Sequence, residues 1–167
     1  MAKDITIKMS TASINDAIEE LQRIHDEFMR NLDLFVRTLA NDGVAVARTY
    51  IQTGAGTERR ASVSWQVNQD GDIYRAQITM DGRDALFVEF GAGIYYNPQD
   101  TPHASKYGMG VGTYPGQTHA FQSGWWYYDD SGQKAYTHGT EATMPMYHAS
   151  ESIQNQAILR ALQIFRS

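Results

Sequence analysis

Apolar positions along the first part of the chain recur with a helical period. Ile14, Ile18, Leu21, Ile24, Phe28, Leu32, Phe35, Val36 and Leu39 stand mostly three or four residues apart, with polar residues between them. The spacing predicts an amphipathic helix from Ser13 to Leu39. Ser13 with Asp16 makes a capping-box-like start, and Glu19 and Glu20 suit a helix N-terminus. Asn41-Asp42-Gly43 should break or kink this helix, and a helical pattern then resumes from Val44 to Gln52 until Gly54 stops it. Its polar face mixes both charge signs, which reads as a solvated surface over a core-packing stripe rather than a membrane or partner helix.

The period then changes to two. Val63, Trp65 and Val67 alternate with polar residues, Asn68-Gln69-Asp70-Gly71 reads as a turn, and Tyr74, Ala76, Ile78 and Met80 alternate again. This is a hairpin, followed by a further turn at Asp81-Gly82. The segment Ala85 to Phe90 is short and apolar, so its pattern is equally that of a strand or a helical turn. A second hairpin runs through Trp125-Trp126-Tyr127-Tyr128, a turn at Asp129-Asp130-Ser131-Gly132, and Gln133 to His138. Thr143 is placed to cap a last helix, with Pro145 in its first turn. Ile153, Ala157, Leu159, Leu162, Ile164 and Phe165 supply its apolar positions, with Arg160 and Arg166 near its C-terminal end. This order predicts one α+β domain spanning residues 1–167, with N-terminal helices and a C-terminal helix packed on an antiparallel sheet.

Residues 91–124 differ in kind. They hold half of the 14 glycines and three of the four prolines, while only Asp100 and Lys106 carry formal charge. Tyr95, Tyr96, Tyr107, Tyr114 and Phe121 are spread through them. A connection this long within one domain is commonly functional or disordered, and tyrosines cover area at low entropic cost. The segment therefore reads either as an interface loop or as an insertion that packs on its own domain.

Composition narrows the function classes. A formal charge of -5 opposes non-specific nucleic-acid binding, which needs a basic face. No apolar run reaches membrane-spanning length, and MAKDITIKMS lacks the apolar centre of a signal peptide. The absence of cysteine excludes disulfides and thiolate chemistry, and fits a protein made in a reducing cytosol.

Candidate chemistry is sparse. His103, His119, His138 and His148, with Asp100, Glu141 and Glu151, have no metal-ligand spacing. Gly108-Met109-Gly110-Val111-Gly112 and Gly54-Ala55-Gly56-Thr57 lack the Lys-Ser/Thr of a phosphate loop, and there is no nucleophile elbow. The sequence thus points to no cofactor, no metal and no enzyme activity, with a small metal-dependent hydrolase as the rival class. Glu89 is the exception that asks for an account, a carboxylate inside the apolar run LFVEF. It reads as a general acid of raised pKa, a turn anchor or an interface contact. As an anchor it needs partners, and the amides of the following glycine turn, Arg75 and Arg83 are the candidates. Gly91 and Gly93 allow positive φ at that corner.

The stretch Asp84 to Gly93, DALFVEFGAG, resembles the motif of the tail-component family of long-tailed bacteriophages. That motif has the form Tyr-Ala-x-(Tyr/Phe)-Val-Glu-(Phe/Tyr)-Gly-Thr-Gly after a hairpin. Phe87, Val88, Glu89, Phe90, Gly91 and Gly93 match it; Asp84 and Ala92 depart from it. The family closes with a glycine, an apolar-proline-apolar segment and a last helix, as do Gly139, Met144-Pro145-Met146 and the residues after them. The resemblance spans most of the chain, although 91–124 is longer and richer in glycine than the family's core. It implies an α+β fold and a structural virion protein of a siphophage or prophage, a tail-completion or head-to-tail joining (neck) component. It implies a homo-oligomeric ring, six subunits being one such ring, in contact with neighbouring neck and tail proteins. DNA would pass the channel without being specifically bound, which an acidic protein favours. The virion would be the protein's destination and the host cytoplasm its place of assembly. A tail terminator or minor head-closure protein is the alternative within the same machine.

Overall fold

The structure is a computed structural model that describes residues 10–53, 61–96, 104–108, 123–129 and 131–166. Its elements are mixed α+β, as the alternating periods predict. Thr11–Thr53 form one continuous helix, α1, of 43 residues, about 64 Å long at 1.5 Å per residue. The expected interruption at Asn41-Asp42-Gly43 is absent. Gly43 instead lies where other elements press on α1: a Cβ there would stand 2.6 Å from Ile153 Cδ1 and 2.9 Å from Ile78 Cδ1. Asp42 accepts a hydrogen bond from Arg160 Nε at 2.8 Å. Tertiary packing on both sides outweighs glycine's helix penalty of about 1 kcal/mol. The start of α1 also lies earlier than expected. Ser10 Oγ accepts the Ser13 amide at 3.3 Å, so Ser10 caps and Ser13 sits inside the first turn. Gly54 lies outside the described residues.

The first hairpin pairs β1 (Ser62–Asp70) with β2 (Ile73–Asp81) in antiparallel register, with Trp65 opposite Ile78 and Val63 opposite Met80. Its two-residue turn places Gly71 at φ +59, a conformation that suits the right-handed twist of the strands. The run Ala85–Phe90 resolves as a short helix, α2. The second hairpin joins β3 (Trp125–Tyr128) to β4 (Lys134–Thr137). Asp129 Oδ1 accepts the amides of Ser131 and Gln133, both at 2.9 Å, and so forms its turn. The hydroxyl of Ser131 and these amides hold the Asp129 carboxyl below its ordinary range. Among the described residues the antiparallel pairing takes the form of two separate two-stranded sheets, with the helices packed on the first.

The last helix, α3 (Pro145–Phe165), runs antiparallel along α1. His148 stacks on Tyr50 with centroids 4.0 Å apart, and Phe165 meets Phe28 and Phe35 at 5.6 and 6.1 Å. Arg160 pairs with Asp42 between these ends. The core forms where α1, α3 and the first hairpin meet. Val44, Ala47, Val63 and Ala149 are buried there, with Ile51, Trp65, Ile78, Met80 and Met146 packed around them. Among the described residues no helix is long and apolar enough to cross a membrane.

Close packing rather than helix breaking as the role of Gly43 has a measurable consequence. Gly43→Ala should stay within about 1 kcal/mol of the parent, because the gain in helix propensity offsets the shift demanded of two isoleucine methyl ends. Gly43→Leu should lose about 1–3 kcal/mol through overpacking. Urea melts of both variants check this; a Leu variant as stable as the parent would rule the crossing out.

Candidate functional site

The two segments that carry the sequence resemblance meet in space. Val88 and Glu89 are buried on α2, and their partners lie at residues 140–147. The Val88 carbonyl accepts the amides of Thr143 and Met144 at 2.9 and 3.3 Å. The hydroxyl of Thr143 donates to the same oxygen at 3.3 Å. Ala92 and Thr140 exchange a pair of backbone hydrogen bonds, each 2.8 Å. Glu89 completes the clasp: Oε2 accepts the Met146 amide at 2.8 Å and Oε1 the Tyr147 amide at 3.0 Å.

Glu89 therefore caps α3 from outside it. The local cap expected from Thr143 does not form, because its hydroxyl is turned toward Val88. Residue Met144 stands at the N-cap position in left-handed conformation, φ 48 and ψ 49, with no side-chain cap of its own. Pro145 follows at the start of the helix and has no amide to satisfy. The first free amides of α3 are those of Met146 and Tyr147, and one carboxylate takes both. The partners expected for Glu89 are thus corrected. The Gly91 amide is already given to Phe87 and the Ala92 amide to Thr140. The two helix amides, rather than Arg75 or Arg83, hold the carboxylate.

Burial pushes the Glu89 carboxyl above its ordinary range, while the Met146 and Tyr147 amides and nearby His148 pull it down in part. Both oxygens face backbone amides, a geometry that suits an anchor better than proton transfer to a substrate. The glycines behave as the sequence predicts. Gly91 adopts φ 75, ψ -178, a region open essentially to glycine alone, and Gly93 has φ 76. A Cβ on Gly93 would meet the Trp125 ring at 2.8 Å, and one on Gly139, at φ 103, would land on the Ala92 carbonyl.

A groove of about 690 Å³ opens at the clasp; Glu89 itself lines it, with Leu86, Phe90, Tyr107, Met146 and Glu151 among its other walls. Tyr107 packs on Phe90 with centroids 6.0 Å apart. Tyr95 and Tyr96 lie edge to face at 4.8 Å, both about half exposed. Of the five aromatics expected at an interface, Tyr95, Tyr96 and Tyr107 are exposed, while Tyr114 and Phe121 lie outside the described residues. The two described candidate histidines, His138 and His148, have different surroundings. His148 is beside Glu151 at 3.5 Å. His138 sits between the rings of Tyr95 and Tyr136, with its Nδ1 buried and unpartnered. His103, His119 and Asp100 lie outside the described residues. No group of three or more His, Asp or Glu side chains that could hold a metal occurs among the described residues.

Sequence reasoning named Val88 but not the role of its carbonyl as acceptor of three hydrogen bonds, and it passed over the Tyr50–His148 stack. Backbone acceptors leave no mark in residue type, so only the pairing of two motifs far apart could have signalled the first.

Glu89→Ala should lose about 1–3 kcal/mol, since two amides at the head of α3 are left unpaired. Glu89→Gln should lose less. A carboxyl whose folded pKa exceeds its unfolded one binds more protons when folded. Its contribution is fully present below the unfolded pKa and falls as pH rises through the folded one. The stability advantage of the parent over Glu89→Gln should therefore be larger near about pH 4 than near about pH 7; paired urea melts measure the difference, and an advantage that grows with pH contradicts it. Gly91→Ala should lose about 1–3 kcal/mol from backbone strain, and thermal melts should place Gly139→Ala below it.

Comparison of the chain with protein-family models, with curated proteins and with solved structures found no match to any of them.

Proposed function

We propose that this chain is a structural assembly protein: a tail-completion or head-to-tail joining component of a long-tailed bacteriophage, working as a ring at the head-proximal end of the tail. A tail terminator or head-closure protein is the neighbouring role in the same machine. The observation that carries the assembly reading is the distribution of apolar side chains. Among the described residues nine apolar residues are buried, six of them alanines, while eighteen large apolar or aromatic side chains are exposed. Exposed apolar surface on this scale marks interaction sites, and its extent favours a subunit over a self-sufficient monomer. The motif resemblance gives the assembly its kind. Glu89 supports the same reading, because both oxygens of this buried carboxylate serve a fold contact, the Met146 and Tyr147 amides.

Untagged full-length protein should form a discrete oligomer by light scattering, and electron-microscopic averages should show a closed ring with a central channel. A monomer at every concentration, carrying stoichiometric zinc, would overturn this in favour of a metal-dependent hydrolase.

A further inference from the structure

Strand β2 has one edge bonded to β1 and one edge open. The two-residue turn makes Asp70 and Ile73 a hydrogen-bonded pair, and bonded and non-bonded pairs alternate from there along the register. Tyr74, Ala76, Ile78 and Met80 stand at the non-bonded positions, so their amides and carbonyls turn away from β1. Among the described residues no hydrogen bond from outside the hairpin reaches these backbone groups. The matching edge of β1 is engaged at its start, where the Val63 carbonyl accepts Arg48 Nη2 at 3.3 Å. Proteins commonly close an edge by proline, a bulge or short length. The strand β2 has nine residues, an unbroken register and no proline.

This open edge lies toward α3. The side chains of Ile78 and Ile153 meet over Gly43. Met80 lines the groove at the clasp, as do Tyr147, Ser150, Glu151 and Gln154 of α3. Edge and groove thus make one slot, with unpaired backbone along β2 and apolar side chains from Leu86, Phe90 and Met146. An extended segment laid in it would pair through its backbone and turn alternate side chains toward α2 and α3. A helix offers no row of donors and acceptors at strand spacing. Charge narrows the segment further. The described residues that line the groove include two carboxylates, Glu89 and Glu151, and no base. Both oxygens of Glu89 are taken by amides, whereas the Glu151 side chain remains 50% exposed.

We propose that β2 and α3 bind an extended segment of a partner protein as a third strand, apolar at every second position and with a lysine or arginine against Glu151. The site goes beyond the assembly reading and is the same in a monomer or in a subunit.

Ala76 is the position that isolates the edge. Its amide faces away from β1, so Ala76→Pro removes an edge donor without taking a bond from the hairpin. The probe is a synthetic peptide alternating valine with lysine and threonine, added at millimolar concentration to the full chain. It should shift the amide resonances of Ala76, Ile78 and Met80, slow their exchange with solvent, and shift those around Glu151. Methylating every second peptide nitrogen should abolish binding, and so should Ala76→Pro with the parent's circular dichroism retained. Replacing the lysines by glutamate should weaken binding by about two- to fivefold, a preference that Glu151→Gln removes. Binding that survives nitrogen methylation, or no response at the three edge amides, overturns the site even if Ala76→Pro misfolds. Slowed exchange of these amides in the parent alone, as its concentration rises, would give the edge to a second copy and overturn it as well. Light scattering of the parent reports on the ring independently of all these results.

Discussion

A single carboxylate seated on the first free amides of α3 fixes where the last helix begins. Met144 is left-handed and carries no side-chain cap, and Pro145 contributes no amide. The helix therefore lacks a local solution for its N-terminus, and Glu89 supplies one from more than fifty residues away. Once α3 starts there, its register along α1 follows: His148 reaches Tyr50, Ile153 reaches Gly43, Arg160 reaches Asp42 and Phe165 reaches Phe28. The short bridge between Ala92 and Thr140 and the contacts of the Val88 carbonyl hold the same junction from the backbone side. A buried carboxylate is expensive to desolvate. It is tolerated here because the amides it satisfies would otherwise be buried without partners.

This arrangement explains which parts of the fold were legible in the sequence. The first hairpin was, because alternation in Val63-Trp65-Val67 and Tyr74-Ala76-Ile78-Met80 is local and one face is covered by α1. The positive-φ corners at Gly91 and Gly93 were, because only glycine suits them. The capping of α3 was not. Local logic selects Thr143, but its hydroxyl serves Val88 instead. Nor was the continuity of α1, since Asn41-Asp42-Gly43 has the composition of a stop signal and only the approach of Ile78 and Ile153 reveals it as a crossing. The site was legible as a set of residues and illegible as a set of contacts. Glu89 invited attention as a charge in an apolar run, yet its partners are backbone amides, which residue type does not disclose.

The interior is built from small residues. Ala40, Ala47 and Ala149 are almost wholly buried, and Gly43 lies among them. Small side chains at a helix crossing let the backbones approach closely, so contact is made with little side-chain volume. That economy leaves exposed large apolar residues elsewhere: Ile14, Ile18 and Leu21 on α1, Ile158 and Leu159 on α3, and Trp126 to Tyr128 on β3. Even near its N-terminal end α1 follows this rule, with Ala17 buried and Ile14, Ile18 and Leu21 exposed.

Two kinds of order are therefore separable in this chain. The junction at Glu89, Val88 and the 139–147 segment is polar, backbone-directed and intolerant of added atoms at Gly139 or Gly91. It sets the relative position of the helices without using the exposed stripes. The stripes are apolar and project from helices already held in place. Substitutions at Ile14, Ile18, Ile158 or Leu159 remove no contact of the junction, whereas loss of Glu89 disturbs the helix on which the outer patch stands. The dependence runs in one direction: the clasp positions the exposed stripes, and the stripes leave the clasp alone.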